Sequence, residues 1–130
     1  MDRMTPFRDG KLFQVPVAAD TEIFGGHLVA VNAAGFAVPA TATAANQTLG
    51  ISDGWVDNTG GHDGDAYVLV SRDRFFLMVN SSTDPVTQAV LGRDCYVVDS
   101  VTVAKTSDAG ARPLAGKVTG LEDNGVWIHI

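Results

Sequence analysis

With one cysteine among its 130 residues, the chain cannot form an intrachain disulfide. Cys95 lies in the apolar run 95–98, where we expect a buried and unreactive thiol. No stretch approaches the roughly 18 uninterrupted apolar residues of a membrane span, and the N-terminus lacks the apolar segment of a signal peptide. We therefore expect a soluble protein that is not exported.

Positive charge is also scarce in this sequence. Nine Lys and Arg face 15 Asp and Glu, which gives a net charge of -6, and no run of basic residues occurs. Direct binding to nucleic acid is therefore disfavoured, because it needs cations that neutralise phosphates. The 45% hydrophobic and 18% charged residues are typical of a globular chain, and the length predicts one domain.

Short apolar runs separated by Gly, Asn, Asp and Ser predict an all-β fold. Hairpin-length connections favour antiparallel pairing, so we expect a β-sandwich or β-barrel with about eight short strands. The segment 84–92 predicts one short helix, since it has an N-cap acid, a first-turn proline and a terminal glycine. The candidate strand runs are 12–17, 27–31, 36–38, 48–52, 66–71, 75–79, 95–98, 101–104, 114–121 and 126–130.

The order of these runs predicts an extended N-terminal arm, 1–19, and a single β domain, 20–130. Pro16 places the first run at a sheet edge or in the arm, because proline cannot donate to a central ladder. Short turns between neighbouring runs predict four strand pairs, of which 66–71 with 75–79 is the clearest; the others are 27–31 with 36–38, 95–98 with 101–104 and 114–121 with 126–130. In the last strand, alternation places Val126 and Ile128 on the core face and Trp127 on the other.

A serine-hydrolase motif is matched only superficially. Ser52 lies in a G-x-S-x-G sequence and is followed by Asp57 and His62, but the residues after it cannot form the helix that such a motif requires. A small hydrolase that uses Ser52 is the weakest hypothesis, and we expect the chain not to be an enzyme.

No metal or cofactor site is expected. The carboxylates of the loop 57–65 suggest calcium, but their spacing does not fit an EF-hand, and a solvated turn is favoured. The three histidines, His27, His62 and His129, lack the close spacing and cysteine partners of a zinc site.

Two tryptophans are candidates for binding. Trp55 and Trp127 could stack on sugars or bases, but in so small a β domain a core or subunit-interface position is favoured. We therefore assign both to a candidate oligomer interface.

The order of features along nearly the whole chain resembles the small capsid decoration, or cement, proteins of tailed bacteriophages and prophages. The segments that carry the resemblance are Gly25-Gly26-His27-Leu28-Val29, the hairpin at Gly35, Thr48-Leu49-Gly50-Ile51-Ser52, the loop from Val56 to Gly61, Ala66-Tyr67-Val68-Leu69-Val70, Cys95-Tyr96-Val97-Val98-Asp99, Leu114-Ala115-Gly116-Lys117-Val118 and the terminal Val126-Trp127-Ile128-His129-Ile130.

The resemblance implies a structural virion protein, made in the cytoplasm of the bacterial host. It would bind the major capsid protein on the outside of the expanded capsid at three-fold positions, usually as a trimer, without enzymatic activity or cofactor. It also implies that the arm reaches the shell, which gives Phe7, Leu12, Phe13 and Val15 as candidate capsid-binding residues. Pairing of this segment with its own sheet is an equal alternative. The competing function is a carbohydrate-binding or adhesion module, which predicts exposed tryptophans.

Overall fold

Twelve strands of two to nine residues make up the regular structure in the computed structural model, which describes residues 1–130. All-β architecture is thereby confirmed. The strands are β1 Leu12–Pro16, β2 Glu22–Ile23, β3 Leu28–Val31, β4 Ala37–Pro39, β5 Gln47–Ser52, β6 Val56–Asp57, β7 Tyr67–Ser71, β8 Phe75–Asn80, β9 Asp94–Val97, β10 Thr102–Ala104, β11 Leu114–Glu122 and β12 Gly125–His129.

The N-terminal half forms an antiparallel five-stranded sheet in the order β1-β7-β5-β3-β4. A bridge between Val17 and Ala37 brings the end of β1 next to β4. The side chains of Val15, Val17 and Val70 and the neighbouring Ile23 of β2 fill one core. The small pair β2–β6 extends from this end of the sheet.

The C-terminal half closes into a five-stranded barrel in the order β10-β8-β12-β11-β9. Its interior is filled by apolar side chains such as Cys95, Val103 and Ile128. One pairing in the barrel, β8 with β10, is parallel, contrary to the expectation that short connections exclude it. The connection is long enough because β9 and the segment before it lie between the two strands in sequence.

Strand β3 joins the two halves because both of its faces are buried. Val29 packs in the core of the first sheet, whereas Leu28 and Ala30 pack in the core that fills the barrel. Strand side chains alternate between faces, so a single strand contributes to both cores.

The structure has twelve strands where about eight were expected: ten lie within or beside the candidate runs, and the two-residue strands β2 and β6 were not predicted. The pairing of β7 with β8 is wrong: β7 pairs with β1 and β5, and β8 pairs with β12 and β10. The exposed turn Arg72–Arg74 therefore carries the chain from the sheet to the barrel. Val126 and Ile128 are buried on the core face of β12, as predicted.

The predicted helix at 84–92 is reduced to a 3-10 turn at Gln88–Val90. Two side chains explain the difference. The amide of Asn80 accepts from the N–H of Val86 (2.8 Å) and donates to its carbonyl (3.0 Å), which satisfies both backbone groups outside a helix. The carboxylate of Asp84 accepts from Thr106 and Arg112 instead of capping.

The predicted arm, 1–19, divides into two parts in the structure. Residues 1–9 have no regular structure and are exposed, whereas β1 pairs with β7 of its own sheet. Val15, Val17 and Ala18 are buried. The packed domain therefore begins near residue 12, and the part of the chain that extends from it is the N-terminal tail, residues 1–11.

Candidate functional site

The N-terminal tail presents large apolar side chains to solvent. Met1, Met4 and Phe7 are exposed, Phe7 to 95%. Arg72 holds the tail where it joins β1. Its side-chain Nε donates to the carbonyl of Gly10 (2.6 Å), and its backbone N–H donates to the carbonyl of Lys11 (2.9 Å). Three unshielded apolar side chains on a fixed root form a segment suited to burial against another molecule.

The four predicted capsid-binding residues of the arm differ in their exposure to solvent. Phe7 and Leu12 are exposed, but Phe13 is half-buried against the sheet core, with the guanidinium of Arg72 4.7 Å from its ring centre. Val15 is only 7% exposed and belongs to that core. In the structure, therefore, only Phe7 and Leu12 are available to a partner.

Strand β1 leaves one of its edges open. The carbonyl of Lys11 and the N–H of Val17 bond toward β7, to Arg72 and Ala66 respectively. Backbone groups alternate in direction along a strand, so those of Leu12 and Gln14 point to the side where no strand pairs, until β4 closes this side where Ala18 donates to the carbonyl of Ala37 (3.0 Å). Pro16, which has no N–H, lies at the end of this open stretch, where the missing donor breaks no pairing with β7.

Charge is divided unevenly along the chain. Residues 12–71 contain six Asp or Glu and no Lys or Arg, whereas the tail holds Arg3, Arg8 and Lys11 against two carboxylates. The tail is thus a cationic, apolar segment attached to an anionic body.

The acidic loop between β6 and β7 folds as a set of turns. Asp57 accepts from Thr59, Asp63 from the N–H of Ala19 (2.7 Å) and Asp65 from the N–H of His62 (2.9 Å). The hydrogen bonds from Thr59 lower the pKa of the Asp57 carboxyl below its usual value. These carboxylates are used to fix the loop, and no group of three potential metal ligands occurs in the structure.

Ser52 is not brought together with Asp57 and His62. It is buried in β5, where its hydroxyl donates to the carbonyl of Phe24. The ring of His62 lies 3.5 Å from Asp65. A nucleophile needs a base within hydrogen-bond reach, and Ser52 has none among its bonds.

The two tryptophans lie on different surfaces. Trp55 is 63% exposed beside β6, and its indole N–H donates to Glu22 (2.7 Å). Trp127 is half-buried on the outer face of β12, opposite Leu77 of β8. They do not form a single interface within one chain.

Comparisons of the chain with protein-family models, curated proteins and solved structures found no match. The function is therefore inferred from the surfaces of the chain itself. The structure contains no helix long and apolar enough to cross a membrane.

Sequence reasoning missed the outer face of β8, where Phe75, Leu77 and Val79 are exposed. The signal was available: 75–79 is apolar at every position, whereas an antiparallel strand with one solvated face alternates. Such a run indicates a strand with two covered faces.

Proposed function

We propose that this chain is a structural virion protein, which binds the outer surface of the expanded capsid of a tailed bacteriophage or prophage and stabilises it. The observation that carries the proposal is the N-terminal tail, because it presents Met1, Met4 and Phe7 to solvent on a root fixed by Arg72. The proposed partner is the major capsid protein, and the proposed location is the outer virion surface.

Burial of these side chains supplies the attachment energy. Full burial of one such side chain is worth about 1.5–3 kcal/mol, and ordering the tail on the capsid offsets part of that gain. A single tail would therefore bind weakly. A homo-oligomer, with the proposed trimer as its simplest form, engages several shell subunits at once and raises avidity by roughly a hundredfold or more.

The open edge of β1 offers a second mode of contact. Leu12 and Gln14 direct unpaired backbone groups outward, so an extended segment of a capsid subunit can add to the sheet there. Such addition leaves β1 paired with β7. It thus needs no release of Phe13 or Val15 from the core.

Co-sedimentation with expanded, undecorated capsids of the phage that encodes the chain tests this function. Four proteins are compared: the full chain, a version without residues 1–9, Phe7→Ser, and Leu91→Ser as a control for loss of an exposed apolar side chain elsewhere. We expect saturable binding of the full chain and of Leu91→Ser. Binding should be lost without residues 1–9 and weakened in Phe7→Ser.

Each result has a defined meaning. Equal binding of all four proteins would mean that the chain binds the capsid through a surface other than the tail. Absence of binding by the folded full chain to any capsid form would reject the proposed function.

A carbohydrate-binding module is the second candidate, and the exposure of Trp55 favours it. Its indole is fixed by Glu22, the exposed Phe24 adjoins the β2–β6 pair at the same end as Trp55, and aromatic faces stack on sugars. Screening glycans by tryptophan fluorescence tests it. Quenching that disappears in Trp55→Ala and persists in Trp127→Ala would support this candidate, and an unchanged spectrum with every glycan would reject it.

A further inference from the structure

Strand β8 is apolar on the side that faces away from the barrel. Phe75, Leu77 and Val79 alternate with the half-buried Phe76 and the buried Met78, and their exposed fractions are 64%, 37% and 51%. Because the barrel is closed, these side chains lie on a sheet face and not at an edge. An apolar outer face in the middle of a barrel wall indicates a surface that another molecule covers.

The adjacent strands extend this surface. Trp127 of β12 lies opposite Leu77, and Gly120 of β11 lies opposite Trp127. Gly120 has no side chain to cover the indole, and a shallow hollow of about 380 Å³ opens between Phe75, Thr119 and Trp127. We call Phe75, Leu77, Val79 and Trp127 the apolar strip.

The two ends of the apolar strip carry opposite charge. At the Phe75 end, His129 already contacts Asp73 (3.1 Å) and Lys117 contacts Asp94 (3.4 Å), so the unpaired cation there is Arg74, which immediately precedes the strand. At the other end, Val126 pairs with Met78, which places Gly125 and its partner Glu122 beside Val79. Asp123 follows in the same turn. Arg74, Glu122 and Asp123 have no ion-pair partner within the chain.

We infer that the apolar strip is where a second copy of this chain binds, with the Arg74 end of one strip against the Glu122 end of the next. Like copies are complementary in this arrangement, since each brings both a cationic and an anionic end to a common apolar centre. The same pairing of ends is compatible with a two-fold pair or with a closed ring.

The size of the strip sets the strength of the contact. Three strands about 4.8 Å apart and five residues of β8 give a footprint on the order of 200 Å², far below the roughly 800 Å² per partner of a stable interface. Self-association should therefore be weak in free solution and strengthen where copies are held side by side. The inference deepens the homo-oligomer part of the proposed function, but its test uses no capsid, so each can fail separately.

Sedimentation velocity of the purified full chain, from about 10 µM to about 1 mM, tests the inference over the range expected for a small interface. The variants are Leu77→Ser, Arg74→Glu and Glu122→Arg, with Leu91→Ser as the matched control for an exposed leucine off the strip. Far-UV circular dichroism checks that each variant is folded. A version without residues 1–9 tests whether the tail occupies the strip instead.

We expect the full chain, Leu91→Ser and the version without residues 1–9 to associate with the same dependence on concentration. Leu77→Ser should weaken association by about tenfold or more, which is the scale for loss of a buried apolar contact. Arg74→Glu and Glu122→Arg should each weaken it when alone. An equimolar mixture of the two should associate again, because one brings two anionic ends and the other two cationic ends.

Three results would overturn the inference. The full chain could stay monomeric up to the highest concentration, Leu77→Ser could associate like Leu91→Ser, or removal of residues 1–9 could abolish association. The last result would mean that the N-terminal tail, and not the strip of a second copy, binds the apolar strip.

Discussion

At the scale of single residues, Gly50 marks the closest approach of two strands. A Cβ at this position would collide with the carbonyl of Ser71 and lie 2.9 Å from Cγ1 of Val70, both in β7. The nearest obstacle is backbone and cannot rotate away. Absence of a side chain at Gly50 is therefore a condition for pairing β5 with β7.

Gly50→Ala should destabilise the fold by about 1–3 kcal/mol, as overpacking in a core does. Gly54→Ala is the control, because a Cβ there has no neighbour within 4 Å and its φ is not in the left-handed region. Urea unfolding measures both, and Gly54→Ala should stay within about 0.5 kcal/mol of the wild type. Equal stability of the two variants would show that β5 and β7 can separate at no cost.

The buried thiol of Cys95 makes the stability of the fold depend on pH. Burial raises the pKa of its thiol from 9.0 to about 11, so the unfolded chain ionises first as pH rises. The stability that the neutral thiol contributes is fully present below pH 9 and is lost between pH 9 and about 11. The loss amounts to roughly 2–3 kcal/mol at 1.36 kcal/mol per pKa unit.

Cys95→Ser should remove this part of the alkaline dependence, because a serine hydroxyl does not ionise there. Urea midpoints of both proteins at pH 8, pH 9.5 and pH 11 measure it. The wild type should fall more steeply than Cys95→Ser over this window, and parallel curves would contradict the buried thiol.

At the scale of elements, the segment around Asp84 shows how side chains override a local pattern. The acid, the proline and the terminal glycine each favour a helix. The carboxylate of Asp84 instead accepts hydrogen bonds from Thr106 and from Arg112, whose guanidinium lies 2.8 Å from Oδ2. Hydrogen bonding to Thr106, supported by Arg112, lowers the pKa of the Asp84 carboxyl below 3.8. Its stabilising effect is thus present above pH 3.8 and lost as pH falls through the lowered pKa.

Asp84→Asn should lower the unfolding temperature at neutral pH, since the neutral amide cannot replace a carboxylate between Thr106 and Arg112. The difference from the wild type should close as pH falls below 3.8. Asp108→Asn is the control, because the side chain of Asp108 is exposed and makes no hydrogen bond. A difference that persists unchanged at low pH would contradict the role of the charged carboxylate.

Strand β1 and the N-terminal tail should respond differently to truncation. Removal of residues 1–9 leaves Gly10 and Lys11 in place to bond Arg72, so the unfolding temperature should stay within about 2 °C of the wild type. Removal of residues 1–17 deletes Val15 and Val17 from the core and should abolish cooperative unfolding. Calorimetry distinguishes the two, and a stable fold without β1 would show that the sheet does not need it.

Much of the strand pattern could be predicted from the sequence, because turn residues and short apolar runs act locally. Strand partners depend on distant segments, which is why the β7–β8 pairing was wrong and the parallel β8–β10 pair was not foreseen. For the candidate site, Trp127 was singled out, but its neighbours on β8 were not, since only the closed barrel places them beside it. The roles assigned to Phe7 and Leu12 remain predictions.

At the scale of the whole molecule, β3 should make unfolding a single event. Val29 belongs to one core and Leu28 and Ala30 to the other, so neither half can lose β3 alone. We expect the fluorescence of Trp55, near the first sheet, and of Trp127, in the barrel, to change at the same urea concentration. Phenylalanine substituted at one tryptophan at a time separates the signals, and two distinct midpoints would contradict the shared strand.

Pro16 limits how far the open edge of β1 can promote polymerisation in concentrated protein. An exposed strand edge is a template on which further chains can polymerise, and long flat edges lead to fibrils. Here Pro16 removes one donor, and only Leu12 and Gln14 offer complete backbone pairs on that side. The edge is long enough to accept one short segment and too short to propagate a fibril, so association of concentrated protein should stop at the small oligomers formed through the apolar strip.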